Sequence, residues 1–130
     1  MNTYLLIASV LTIALALAHS VLGELKILRH LKDENLPALQ GIPLLFKIKS
    51  PAKRTLRFVW HLASVFGFGF AAVLFYFSNL SALTQTDAVV IKIISATMFA
   101  AGSVTLIITH ASHMGWVLFF AIAVFCAMAV

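Results

Sequence analysis

A chain of 130 residues that is 62% apolar and only 10% charged is not an ordinary soluble domain, where roughly a quarter of the residues carry charge. Its net charge of +5 is concentrated, because eight of the nine Lys and Arg lie between Lys26 and Arg57 and the ninth is Lys92. A basic block between two long apolar runs reads as a loop against anionic lipid headgroups, which sets nucleic acid aside as a partner, and a single cysteine, Cys126, excludes an internal disulfide and dithiol redox chemistry.

In chain order, residues 3–22 are almost all apolar, and about 20 residues at 1.5 Å each match a hydrocarbon core of roughly 30 Å. No positive charge precedes this run, so it reads as a retained span rather than a signal peptide. Ala8, Thr12, His19 and Gly23 project within about 60° of one another on a helix, and small or hydroxyl-bearing residues mark a face that packs on another membrane helix. After Gly23 the pattern turns amphipathic, with Leu25, Leu28 and Leu31 set among Lys26, Arg29, His30 and Lys32. This predicts a short interfacial helical extension ending at Asp33-Glu34-Asn35 and Pro37, inside an interfacial loop over 23–54.

Ser50-Pro51 is a helix start, and the second helix is expected to run to about Phe77 with its span at 56–77. Lys53, Arg54 and Arg57 then lie at the headgroups, His61 about one turn deeper, and Gly67 and Gly69 allow a neighbouring helix to come close. The segment 78–87 is polar and free of bases, as a loop on the far side would be, and Asp87 can cap a third helix spanning 88–109. The brief turn His110-Ala-Ser-His113 makes helices three and four antiparallel neighbours, and the fourth span is expected at 113–130 with Trp116 in the aromatic belt. The fold expected is therefore all-α, a four-helix transmembrane bundle in a single domain, with a basic cytoplasmic loop between the first two helices. The positive-inside rule puts both termini outside and the ends bearing His19, His61, His110 and His113 at the cytoplasmic face.

Ionisable groups at membrane depth are costly and tend to serve a use, which makes these histidines with Glu24 the candidate site. The leading expectation is a cofactor-binding membrane protein, first of all a transition-metal centre, Zn, Cu or Fe, serving redox or metal handling and held by His19, His61, His110, His113 and the Glu24 carboxylate. Its weak point is angular, since Glu24 lies about 140° around the helix from His19. A second is a b-type haem ligated by His61 with His19 or His110, with Arg54 or Arg57 on the propionates and Ser64 and Trp60 beside it. A third has no cofactor: His19 and His61 hydrogen-bond to Ser64, Ser20 or Ser112, Glu24 pairs with Arg57 or Arg54, and the chain is a structural or accessory subunit, in a homo-oligomer or a larger membrane complex. Asn79-Leu80-Ser81 matches a glycosylation acceptor, a pattern short enough to arise by chance.

The run His19-Ser20-x-x-Gly23-Glu24 followed by Arg54-Thr55-Leu56-Arg57-x-x-Trp60-His61 resembles a group of small bacterial integral membrane proteins of four spans each. The resemblance implies a bacterial inner-membrane protein with a shared polar cluster, and it names no substrate.

Overall fold

The structure is a computed structural model that describes residues 1–32 and 51–130. The expected termination at Asp33 to Pro37, the loop over 38–49 and the serine cap at Ser50 lie outside the described residues. Four α-helices make up the described chain: α1 (Thr3–Lys26), α2 (Pro51–Ser78), α3 (Gln85–Ile108) and α4 (Gly115–Ala127), with one 3-10 turn, Leu28–His30, after α1. No strand occurs among the described residues. Helix α1 with its following turn, α2 and α3 are each long and apolar enough to cross a membrane. Helix α2 starts at Pro51, as expected; the ends differ from expectation where α1 stays helical through Lys26, four residues past 22, and where α4 has only 13 residues against an expected span over 113–130.

Helices α1 and α3 begin where a side chain satisfies free backbone N–H groups. Asn2 Oδ1 accepts from the amides of Tyr4 and Leu5 at 3.1 and 3.3 Å, which starts α1. At α3 the cap is Thr84, not Asp87: Asp87 N donates to Thr84 Oγ1 at 3.2 Å while Thr84 N donates to Asp87 Oδ2 at 2.8 Å, so Asp87 is the acid of a capping box. Helix α3 stops in a Schellman motif, with Ala111 N on Leu106 O at 3.0 Å and His110 N on Ile107 O at 3.2 Å. His110 and Ala111 take φ of 48° and 62° there, a left-handed step in which histidine is tolerated better than bulkier residues.

The chain divides into two compact units, residues 1–15 with 66–130, and residues 16–65. In the first, Leu5, Ala8, Leu74, Ile91, Ile122 and Cys126 form a core in which each is under 3% exposed. Hydroxyls bind its helices through backbone carbonyls: Ser9 Oγ donates to Ala71 O at 2.9 Å, and Ser95 Oγ to Ala123 O at 2.8 Å. Helices α3 and α4 pack closely because Gly102 faces Phe120, whose ring would stand 2.8 Å from a Cβ at that position. Gly69 makes no such approach; nothing lies within 4 Å of where its Cβ would be. The expected inward face of α1 is found, with Ala8 and Thr12 at most 2% exposed and Gly23 buried in the second unit.

Candidate functional site

The second unit, residues 16–65, gathers both sequence motifs. Ser20 and Glu24 stand four residues apart on one face of α1, and Arg57 and His61 stand four apart on one face of α2, so each pair lies about one turn apart along its helix. Because the helices are antiparallel here, a step of one turn along α1 is matched by one turn back along α2. Ser20 therefore meets His61, and Glu24 meets Arg57.

The contacts form a chain. Ser20 Oγ lies 2.9 Å from His61 Nδ1, and His61 Nε2 lies 3.4 Å from Glu24 Oε2. Arg57 grips the same carboxylate with two bonds, Nε to Oε2 at 3.0 Å and Nη2 to Oε1 at 2.7 Å, the fork geometry that a guanidinium offers a carboxylate. Facing an acceptor-only carboxylate, His61 Nε2 carries a proton; Nδ1 then accepts from the Ser20 hydroxyl in the neutral ring and donates to it in the imidazolium. The side chains of His61, Glu24 and Arg57 remain 39%, 34% and 44% exposed, so the network opens onto its surroundings.

Beside this chain Trp60 joins the two motifs differently. Its Nε1 donates to the His19 carbonyl at 2.8 Å, and its ring stacks on the His19 imidazole with centroids 4.7 Å apart and planes 6° from parallel. The indole lies over Gly23 so closely that a Cβ there would overlap Nε1 and Cε2 and stand 2.8 Å from Cζ2. That contact is why the motif carries glycine at this position. His19 and Glu24 thus both engage α2 without any unwinding of α1, because Trp60 and His61 are adjacent and receive them on different sides. Lys53 Nζ caps the Leu31 carbonyl at 2.6 Å.

The remaining candidate residues are placed as follows. Ser64 is buried, 3% exposed, and its hydroxyl has no hydrogen-bond partner among the described residues. Arg54 lies with Arg57, Phe58, His61, Leu62 and Val65 around an open hollow of about 440 Å³. His110 and His113 belong to the first unit. There His113 Nδ1 accepts from Gly115 N at 3.1 Å, so this ring caps the start of α4, and Ser112 Oγ donates to Thr109 O at 2.6 Å. Asn79 spends its side chain on the end of α2, donating to Phe75 O at 2.8 Å. Among the described residues no three or more His, Cys, Asp or Glu side chains come together in a way that would hold a metal ion; Glu24 and His61 come together as two.

Trp60 over Gly23 is the contact that sequence reasoning missed. Its signal was present in the near-coincident spacing of the two motifs, where a small residue on one helix answers a large ring on the other.

Fold and network define an all-helical protein with helices able to span a membrane, tied together by a polar cross-helix network. Comparison with protein-family models, with curated proteins and with solved structures gives no match.

Proposed function

We propose that this is a small multi-pass membrane protein that acts by binding and holding, an accessory or scaffolding chain, and that residues 19–24 with 57–61 are the clasp that ties α1 to α2. In this reading the chain sits in a bacterial inner membrane, with the basic segment and the clasp at the cytoplasmic surface as the positive-inside rule directs. The observation that carries it is saturation: both nitrogens of His61 and both oxygens of Glu24 are engaged by side chains of the opposite helix, and the Trp60 N–H is spent on the His19 carbonyl.

The Ser20–His61–Glu24 order has the wiring of a general-base triad, yet Ser20 sits within α1, where the backbone N–H groups around it are committed to the helix. They cannot converge on an oxyanion, the donor set that acyl transfer depends on. Binding is thus better supported than hydrolysis. A haem would need a free ring nitrogen, and both nitrogens of His61 are engaged, one by Ser20 and one by Glu24.

One observation favours a second reading, a metal centre at the same residues. Two ligands with bonds of about 2.05 Å to a tetrahedral Zn²⁺ stand about 3.3 Å apart, close to the 3.4 Å between His61 Nε2 and Glu24 Oε2. Against it, the Arg57 guanidinium holds both carboxylate oxygens and its charge opposes a divalent cation.

Elemental analysis and an absorption spectrum of the detergent-purified protein test the choice. The clasp reading expects substoichiometric metal and no Soret band. Near-stoichiometric metal that disappears in His61→Ala would replace it with the metal centre, and a Soret band would replace it with the haem protein.

A further inference from the structure

We propose that the hollow on α2 is the seat of one anionic phospholipid drawn from the surrounding bilayer, its phosphate at Arg54 and Arg57 and an acyl chain along Phe58, Leu62 and Val65. This goes beyond the clasp, with which the hollow shares Arg57 and His61: it concerns a ligand the clasp does not require.

The lining residues recur at spacings of three and four, so they share one face of α2, spread over about 140° of its circumference. Along that face the chemistry is ordered as in an amphiphile. Arg54 and Arg57 branch from the first 5 Å or so of the helix, His61 follows about 6 Å beyond Arg57, and the apolar members reach to about 17 Å from Arg54. Phe58 and Val65 are 64% and 61% exposed, so the apolar stretch is open to an acyl chain.

Charge selects the headgroup. The Arg57 charge is met by Glu24, whereas Arg54 makes no ion pair among the described residues. Arg54 and Arg57 set against Glu24 leave one net positive charge, matched by the single negative charge of a phosphodiester. Arg54 also lies in the first turn of α2, where the helix dipole adds positive potential. Glu24 takes only Nε and Nη2 of Arg57, and arginine suits phosphate oxygens through its paired N–H groups. A zwitterionic lipid brings its own cation to the same place and is disfavoured.

Native mass spectrometry of the full chain, released from detergent micelles containing phosphatidylglycerol or phosphatidylcholine with identical acyl chains, tests this. One phosphatidylglycerol per chain is expected, retained at least tenfold more than phosphatidylcholine. Arg54→Gln is expected to bring that preference to within twofold, Arg54→Lys to keep most of it, and Leu62→Ser to lower retention of both lipids alike. Millimolar inorganic phosphate is expected to displace nothing, since the acyl contacts are missing. Equal retention of the two lipids, an unchanged preference in Arg54→Gln, displacement by free phosphate, or a lipid-free dimer closing the face would each overturn the proposal. Ser20→Ala loosens the clasp at His61 while replacing none of the side chains that line the hollow, so a preference that persists there separates this site from the clasp.

Discussion

Replacing Gly23 by alanine is a perturbation whose sign is diagnostic. In a helix interior with nothing nearby, glycine to alanine stabilises by about 1 kcal/mol. At Gly23 the added Cβ meets the Trp60 indole, which is held by the bond to the His19 carbonyl at 2.8 Å and by the stack on the His19 ring. To clear the methyl group the indole must give up both, about 1 kcal/mol for the hydrogen bond and about 1 kcal/mol for the aromatic pair, with an overpacking cost of roughly 1–3 kcal/mol if it clears only in part. Against the helix-propensity gain, the expected net effect is a destabilisation of about 1–3 kcal/mol. The assay is unfolding of the purified protein by sodium dodecyl sulfate in mixed micelles, followed by circular dichroism. In a Trp60→Ala background the clash is absent, and Gly23→Ala is expected to revert to stabilising by about 1 kcal/mol. A Gly23→Ala protein as stable as the parent, or an unchanged sign in the Trp60→Ala background, would refute the packing of indole on glycine.

Other substitutions read the rest of the network. A double-mutant cycle between Glu24→Ala and Arg57→Ala is expected to give a coupling of no more than about 1 kcal/mol, because both side chains are over a third exposed and solvent screens such pairs; the same unfolding titration measures it. The Ser20→Ala and His61→Ala cycle is expected near 0.6 kcal/mol, about the average for inter-helix polar contacts in membrane proteins. His113→Ala removes the acceptor at Gly115 N and is expected to cost about 1 kcal/mol as other lost caps do, seen as faster amide exchange at Gly115, whereas His113→Asn retains protection. His110→Gly relieves a left-handed residue with φ 48° and is expected to stabilise by about 1 kcal/mol; a loss instead would show that the imidazole has a use.

The length of the apolar runs made α1, α2 and α3 legible before any coordinates, because burial in an apolar medium forces helices of a definite length. The residues also offered the partners without choosing among them, Glu24 with Arg57 or Arg54 and His61 with Ser20, Ser64 or Ser112, and only the antiparallel register selects Arg57 and Ser20. What the residues did not announce depends on where a neighbour lies. Gly69 and Gly23 look alike in sequence, yet one faces open space and the other an indole. Asp87 looked like a cap, but the hydroxyl of Thr84 three residues earlier reaches the free amide first. His110 and His113 entered the candidate site on depth alone; in the structure the His113 ring begins α4 and the His110 backbone serves the turn.

The two units use different polar contacts, and the difference follows from desolvation. In the first unit Ser9 and Ser95 donate to carbonyls that are already hydrogen-bonded within a helix, neutral bonds that need no compensating charge when the surroundings are apolar. In the second, the carboxylate and guanidinium of Glu24 and Arg57 do the joining while remaining 34% and 44% exposed. A charge pair moved to the Ser9 position would lose its hydration almost entirely, a penalty that the pair's own attraction repays only in ideal geometry. At the exposed end the penalty is small, and so is the gain. The ion pair therefore selects register more than it adds stability, since a shift of α2 by one residue along α1 rotates Arg57 about 100° away from Glu24, whereas a serine finds a carbonyl at nearly every turn.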